Sequence, residues 1–434
     1  MRAGLIKVPN INFINNWPYY IVFYVFLMMF LQMFRVPHVI VFILDFVMIA
    51  AGIALIRHRL WKYGTGNKLF HFQILFFLIG IVTSIISGTK PILILWSFRN
   101  YGRFIIYIVL LTAVLRRKEV NDVINLFKQL YILNFIILFF QLVILRIDGD
   151  SLGGIFGTID GVNGYANIYL IAMSTLFIWE WIYHKLSVRK LMIYLFLAVA
   201  EASLAEIKVY YIELVLIMLI AFFKIYFIDK KKGNMFNFVG IIIIVVFALV
   251  LGVWVIGLMR PEFVNFMSIE KLTYILTNDR GYSADGKSVN RLNAISMINA
   301  QIFTDVKQRI FGLGMGAAEF SQSSELLTSN FYRTYSYLKY KNFLLPWMYI
   351  ENGYVGLTIY ILSFVYTVIN GLKRLKQYTS DEAKIFGWIG VVMTIISIIL
   401  IVYSSSMRID SAYIIYFFIV LNYINLEDGS YASN

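Results

Sequence analysis

The chain has 434 residues, of which 60% are hydrophobic and 14% are charged, and its mean hydropathy is +0.76. Soluble domains are about 45 to 50% apolar, so this composition excludes a soluble fold and predicts an all-α polytopic integral membrane protein. The formal net charge is +14, and the absence of cysteine excludes disulfides, thiolate catalysis and cysteine-based metal sites.

About a dozen apolar runs of roughly 17 to 25 residues predict transmembrane helices. No small-residue cleavage site follows the first run, and we interpret it as a retained span instead of a signal peptide. A polar insert of 84 residues, from Met259 to Asn342, precedes the last three spans. Its length suggests a function on the side of the membrane where it lies. The predicted spans are 17–34, 37–56, 69–87, 91–115, 128–147, 164–183, 191–205, 209–228, 238–258, 343–370, 385–403 and 410–426.

Lysines and arginines in the connections orient the predicted bundle. With a cytoplasmic N-terminus every basic cluster falls on one side, and the opposite connections are short or carry Asp148, Asp150 and Asp160. The positive-inside rule therefore predicts cytoplasmic termini and an external insert, and it explains the net charge without a nucleic-acid partner. The clusters also suit anionic lipids, but orientation alone already explains them. They are Arg57/Arg59/Lys62/Lys68, Arg116/Arg117/Lys118, Lys185/Arg189/Lys190, Lys230/Lys231/Lys232 and Lys373/Arg374/Lys376/Lys384.

This pattern divides the chain into three parts. Residues 1–258 form a transmembrane bundle of about nine spans, and residues 259–342 form an external loop with an amphipathic helix. Residues 343–434 supply the last three spans and a cytoplasmic tail.

Ionisable side chains near the outer ends of the spans indicate a site, because an unpaired charge in the bilayer costs several kcal/mol. Arg99 and Arg103 lie four residues apart, so both guanidinium groups face one side of the fourth span. Taken one at a time, these residues also have an alternative interpretation, in which the cations snorkel towards water and Glu206 and Lys208 neutralise each other. Together, cations from three spans predict a pocket for a polyanion. The other ionisable residues at this depth are Arg146, Glu201 and Glu213.

Asp45 is predicted to lie in the middle of the second span. A carboxyl group at that depth serves as a proton relay or as a neutral, hydrogen-bonded structural group. No second mid-membrane acid clearly faces it, which favours the structural role.

The insert contains an apolar pattern with the helical period from Ser288 to Phe303, with Ser288 as the predicted N-cap. The polar face of this amphipathic helix would present Arg291 to the headgroup region. The alternate glycines from Phe311 to Gly316 follow no βαβ strand, so they favour a backbone turn with close approach over a dinucleotide-binding loop.

Aromatic and cationic residues alternate from Phe331 to Asn342, including Tyr337 and Lys339. This mixture suits sugar rings stacked beside phosphate, and it equally suits the aromatic belt beside a span. The insert contains no histidine, so neither a histidine zinc site nor a Ser-His-Asp arrangement can be built there. The four histidines of the chain are His38, His58, His71 and His184.

The order of these features resembles the bacterial Wzy-type polysaccharide polymerases of the O-antigen polymerase and ligase superfamily. The resemblance covers nearly the whole chain. Its elements are a dozen spans, an arginine-bearing fourth span, the Gly154–Asn167 stretch that enters the sixth span, and a large external loop. The loop contains in order Asn290-Arg291, the glycine turn, Asn342-Phe343-Leu344, and then Glu351-Asn352-Gly353-Tyr354-Val355-Gly356 leading into the next span.

The resemblance implies an inverting glycosyltransferase of the bacterial cytoplasmic membrane, without metal or cofactor, whose active site lies on the outer face. Such an enzyme transfers a growing glycan from undecaprenyl pyrophosphate to the terminal sugar hydroxyl of another lipid-linked repeat unit. Fixed positive charge would stabilise the pyrophosphate as the glycosidic bond breaks. A chain-length regulator and a flippase are candidate partner proteins.

The roles that the resemblance implies fall on specific residues. Arg291 and Arg99 are the main candidate pyrophosphate ligands, and Glu206 and Glu351 are candidate bases for the acceptor hydroxyl. The assisting ligands of pyrophosphate or sugar are Arg103, Lys208, Arg280, Asn163, Tyr337 and Lys339.

Two alternative functions stay open. Ligases of the superfamily share the chemistry but carry a histidine in the large loop, and its absence here favours a polymerase. A flippase for lipid-linked oligosaccharides also needs about twelve spans and a cationic cavity. Such transporters usually show two related halves and short loops, and neither is apparent.

Overall fold

The computed structural model is all-helical, with 77% of its residues in helices and no strand among the residues that it describes. The prediction of an all-α protein is therefore confirmed. The structure describes residues 15–34, 42–64, 67–147, 149–159, 161–228, 288–321 and 324–427, with the single residues 36, 40 and 250.

The described helices follow the apolar runs of the sequence. One further helical turn covers Trp61–Gly64. The helices are α1 (Trp17–Gln32), α2 (Ile43–Arg57), α3 (Lys68–Ile86), α4 (Pro91–Val114), α5 (Arg117–Val143), α6 (Asn163–Ile182), α7 (Val188–Leu204), α8 (Lys208–Phe223), α9 (Ala294–Gln301), α10 (Val306–Phe311), α11 (Asn330–Tyr335), α12 (Leu344–Leu375), α13 (Asp381–Tyr403) and α14 (Ala412–Val420).

Eleven of the twelve predicted spans coincide with one of these helices, and the ninth, 238–258, lies outside the described residues. Helix α14 has nine residues, which extend only about 14 Å along the axis. The set of twelve spans thus stays a prediction. Within the described part of the chain, six helices are long and apolar enough to cross a membrane, if α8 is counted together with the π-helical segment Lys224–Ile228 that continues it. They are Lys68–Ile86, Pro91–Val114, Arg117–Val143, Lys208–Ile228, Leu344–Leu375 and Asp381–Tyr403.

Helices α12 and α13 form an antiparallel hairpin through the bundle. Helix α12 packs against α3, and α13 packs against α6 and α14. Helix α4 lies against α2 and α14. Trp179 of α6 and Trp388 of α13 stack with ring centroids 4.5 Å apart, which joins the hairpin to the central helices. The two ends of this hairpin carry different chemistry.

The glycine turn of the insert docks into a break in α12. The break lies at Gly353, whose φ of 58° is in the left-handed region that favours glycine. Because the helix is interrupted there, the carbonyl oxygens of Ile350 and Glu351 are open, and they accept hydrogen bonds from the backbone N–H groups of Leu313 and Gly314, both at 2.8 Å. The insert thereby satisfies the acceptors that the break exposes.

The same turn touches the end of α3. The backbone N–H of Met315 donates to the carbonyl of Gly80 at 3.1 Å, and the Ser84 hydroxyl donates to the carbonyl of Met315 at 2.7 Å. A Cβ atom added to Gly314, which has φ +94°, would lie 2.4 Å from the Cα of Ser84. The prediction of a turn that requires close backbone approach is confirmed.

The amphipathic helix of the insert is shorter than predicted. Helix α9 begins at Ala294, and its N-cap is Asn293 instead of Ser288. The side-chain oxygen of Asn290 accepts hydrogen bonds from two backbone N–H groups that follow it, at 2.9 and 3.1 Å, which folds the preceding residues into a turn. Arg291 therefore lies in this turn and not on the helix's polar face.

The insert has an apolar core of its own, which also includes the first turns of α12. The sequence-based boundary at residue 342 therefore falls inside this core. Its buried residues are Val289, Ala294, Ile298, Phe303, Ala318, Leu338, Tyr340, Phe343, Trp347, Tyr349 and Ile350.

Candidate functional site

Arg99 is paired with Asp45 at the beginning of α2. Both its Nε and its Nη2 donate to Asp45 Oδ2, at 2.9 and 2.7 Å. The guanidinium also lies over the rings of Trp96 and Phe42, 4.7 and 5.1 Å from their centroids. Asp45 was predicted in mid-span, but α2 begins only at Ile43, so Asp45 lies in its first turn and at the level of Arg99. Its structural role is that of an ion-pair partner.

Arg103, one turn after Arg99, is buried and pairs with a second carboxylate. Its Nη1 donates to Asp410 Oδ1 at 2.6 Å and lies 3.8 Å from Asp45 Oδ1. Its Nη2 donates to the backbone carbonyl of Arg408 at 3.4 Å. The loop between α13 and α14, residues 404–411, is therefore held against α4.

Arg408 connects this loop to the insert. Its guanidinium forms a buried ion pair with Glu319 and lies 3.5 Å from the ring centroid of Trp347. The side-chain amide of Asn100, on α4, donates to the same carboxylate at 3.2 Å. Burial by itself lowers the pKa of Arg408, but Glu319, Tyr101 and Glu351 together more than offset this and raise its pKa above the usual value. The arginine is therefore held charged inside the fold.

Glu351 is fully buried beside the break in α12. Its Oε1 accepts hydrogen bonds from the backbone N–H groups of Gly316 and Ala318, at 2.9 and 3.4 Å. Nearby, burial raises the pKa of Tyr340 far above its usual value, and the charges of Glu351 and Glu319 add to this effect. The Tyr340 hydroxyl thus stays protonated, and it donates to the carbonyl of Ala318 at 2.8 Å.

Arg291 lies at the edge of this network. Its guanidinium is 4.3 Å from the ring centroid of Tyr403 and 4.9 Å from that of Phe343, and its Nε donates to the carbonyl of Tyr403 at 3.4 Å. The adjacent Ser404 accepts a backbone hydrogen bond from Leu344 at 3.1 Å. Arg291 therefore connects the insert to the end of α13, next to the 404–411 loop.

Glu206 belongs to a different neighbourhood. It lies in the turn between α7 and α8 with φ of 53°. Its side chain approaches Gly149 closely: a Cβ atom added to Gly149 would lie 3.5 Å from Glu206 Oε1. Lys208 begins α8, and Asn163 begins α6 and donates to Asp150 at 2.7 Å. These residues lie around the 149–151 turn.

The 404–411 loop also reaches this second neighbourhood. A Cβ atom on Gly164, at the beginning of α6, would lie 3.4 Å from the Ser406 hydroxyl oxygen. The 404–411 loop therefore lies next to both the arginine network and the residues around the 149–151 turn.

The remaining candidate residues are more peripheral. Tyr337 is exposed, and Lys339 has a left-handed backbone with φ of 53°. Leu338 between them accepts a backbone hydrogen bond from Val289 at 2.9 Å, two residues before Arg291. Arg280 lies outside the described residues.

Among the described residues, Arg99, Arg103 and Arg408 have carboxylate partners, and the pocket for a polyanion stays a prediction. Each buried arginine has a carboxylate partner, since an unpaired buried charge is costly. Arg99 and Arg291 are the partly exposed arginines of the group. No group of histidine, cysteine, aspartate and glutamate side chains suitable for a metal ion occurs among the described residues.

Arg408, Asp410 and Glu319 were missed from the sequence. A local signal marked the first two: they are the only lysine, arginine, aspartate or glutamate residues between Lys384 and Glu427. Glu319 carried no such signal, because its pairing depends on how the insert docks.

Neither protein-family models nor curated proteins yield a match to this sequence. The resemblance to polysaccharide polymerases therefore rests on the order of the sequence features.

Proposed function

We propose that the chain is a membrane glycosyltransferase that polymerises oligosaccharide repeat units carried on undecaprenyl pyrophosphate. The observation that supports this function best is the convergence of Arg99 and Arg103 with Arg408 beneath the docked insert, with Arg291 at the edge. The reaction would take place at the outer face of the bacterial cytoplasmic membrane, with both termini of the chain in the cytoplasm.

The arginines divide into two roles in this proposal. Arg99, whose side chain is 23% exposed, and Arg291 contact the pyrophosphate directly. Arg103 and Arg408 are buried, and they hold the loop and the insert in place. Carboxylate partners fix the guanidinium groups before substrate arrives, so little reorganisation is needed when charge develops on the leaving group. Lys208, Arg280, Asn163, Tyr337 and Lys339 are assigned to the sugar and pyrophosphate of the two substrates.

The transfer is a displacement at the anomeric carbon of the donor sugar. The acceptor hydroxyl oxygen forms the new bond to that carbon, the bond to the pyrophosphate oxygen breaks, and the hydroxyl proton passes to a carboxylate. Of the two candidate bases, Glu206 is half-buried and Glu351 is fully buried with backbone hydrogen bonds. We therefore assign the base to Glu206 and a positioning role to Glu351.

Replacement of Arg291 tests the proposed function. In cells that make the polymer, Arg291→Ala should abolish long-chain glycan while single repeat units persist on the lipid carrier, because the leaving group loses its fixed positive charge. Glycan length on gels and the pool of lipid-linked repeat units are the measurements. Arg309→Ala is the matched control, since Arg309 is an exposed arginine of the same insert. Normal chain length in the Arg291 variant would remove Arg291 from the mechanism.

Ligase and flippase functions predict other outcomes of the same experiment. Loss of a ligase would leave long polymer on the lipid carrier, and loss of a flippase would leave single units on the cytoplasmic side. Repeat units accumulating on the outer face are expected only for the polymerase.

A further inference from the structure

A large cavity lies at the end of the α12–α13 hairpin opposite the arginine network. Its volume is ≈ 1440 Å³. The C-terminal turns of α8 and α12, the first turns of α13 and the turn between α6 and α7 surround it. None of the candidate residues that the structure describes lines it, so it is separate from the arginine network and from the surroundings of Glu206.

The inner wall of this cavity is apolar. Leu219 and Phe223 of α8 line the cavity, with 59% and 55% of their surface exposed. Across from them lie Val391 and Ile395, and Trp388 is fixed by its stacking on Trp179. A wall of this kind suits hydrocarbon chains, because water would be unfavourable against it.

The rim of the cavity is positively charged. Among the described residues, Lys185, Lys376 and Lys384 line it together with one carboxylate, that of Asp381. None of these three lysines forms an ion pair among the residues that the structure describes. Lys224 adds a fourth cation, 4.3 Å from the ring centroid of Tyr183. The described part of the rim therefore has three more lysines than carboxylates.

We propose that this cavity binds an anionic glycerophospholipid of the surrounding leaflet. The phosphate group lies among Lys185, Lys376 and Lys384, and an acyl chain lies along Leu219 and Phe223. Lysine suits this role because its flexible stem packs on the apolar wall while its ammonium group reaches the headgroup. A zwitterionic lipid gains less from the rim, since its own cation is repelled there. This site is independent of the proposed enzymatic function.

Lipid binding to the purified full-length protein tests the site. Native mass spectrometry after addition of phosphatidylglycerol or phosphatidylcholine gives the apparent affinities. Lys376→Gln with Lys384→Gln should weaken phosphatidylglycerol binding roughly thirtyfold, because each lysine near an anionic headgroup contributes about a fivefold effect. Phosphatidylcholine binding should change little. Equal affinity for the two lipids in the unchanged protein would overturn the proposal.

The control has the same loss of charge outside the cavity. Lys118→Gln with Lys373→Gln removes two exposed lysines that do not line it, and phosphatidylglycerol binding should be preserved. An equal loss in this control would mean that net charge alone matters, and the specific site would be rejected. Thermal unfolding of both double variants verifies that each is folded.

A third variant separates the acyl chain from the headgroup. Leu219→Trp fills the apolar wall without changing charge, and it should weaken phosphatidylglycerol binding severalfold. Glycerol 3-phosphate, which has no acyl chain, should not compete. Competition by glycerol 3-phosphate would indicate a site for free phosphate instead. A cross-link from position 219 to the predicted span 238–258 would indicate that another part of the chain occupies the cavity. Either result overturns the proposal.

Discussion

The two ends of the α12–α13 hairpin place positive charge in opposite environments. At one end Arg99, Arg103 and Arg408 are each paired with a carboxylate, and the latter two are buried. At the other end, Lys185 and Lys376 are exposed at the mouth of a cavity. A buried charge must be neutralised within the fold, whereas water and lipid headgroups solvate an exposed one. The arginine end should therefore govern stability, and the lysine end should affect ligand binding.

Removal of Arg408 is expected to have the largest effect on the fold. Arg408→Ala leaves Glu319 buried without its ion-pair partner, which should lower the free energy of unfolding by about 3 to 5 kcal/mol. Thermal unfolding in detergent gives the shift. Arg309→Ala, on the exposed surface of the insert, should change stability by less than about 0.5 kcal/mol.

A double replacement identifies the cause of that loss. Arg408→Met with Glu319→Gln removes both charges, so a substantial part of the stability should return. If the double variant is no more stable than Arg408→Ala, the buried charge of Glu319 does not explain the loss.

The glycine turn provides the next largest expected effect. Gly314→Ala combines a positive φ with a Cβ atom 2.4 Å from the Cα of Ser84, which should cost about 2 to 4 kcal/mol. Gly88→Ala is the matched control, because Gly88 has φ of +68° but no neighbour within 4 Å of the added Cβ atom. It should cost only about 1 kcal/mol. Equal losses in thermal stability would show that the close approach to Ser84 contributes nothing.

The two glutamates should separate catalysis from positioning. In membranes reconstituted with lipid-linked repeat units, Glu206→Gln should slow polymerisation at least about 100-fold if the carboxylate accepts the proton. Glu351→Gln retains an oxygen that accepts from the N–H groups of Gly316 and Ala318, so its rate should fall less than about tenfold. If Glu351→Gln slows polymerisation more than Glu206→Gln does, Glu351 and not Glu206 is the base.

Much of the bundle was predictable because the length and hydropathy of an apolar run are local properties. The helices over eleven predicted spans follow from such runs, and the spacing of Arg99 and Arg103 placed both on one face of α4. The glycine turn was recognisable because alternate glycines have few other uses.

The pairing of the charges was not predictable, because it depends on contacts far apart in sequence. Glu319 and Arg408 are separated by 89 residues and meet only when the insert docks into the break at Gly353. The predicted position of Asp45 in the middle of the span was wrong because the start of α2 was predicted too early in the sequence. The length of α9 was wrong because the side chain of Asn290 competes with the helix for backbone N–H groups.

The smallest effect on stability is expected at the lysine end. Lys376→Gln with Lys384→Gln should change the free energy of unfolding by no more than about 0.5 kcal/mol, because neither lysine has an ion-pair partner among the described residues. Thermal unfolding in detergent without anionic lipid is the measurement, and added phosphatidylglycerol should stabilise the unchanged protein more than the variant. A loss of stability as large as that of Arg408→Ala would mean that these lysines are also part of a buried network. Charge would then be neutralised within the fold at both ends of the hairpin.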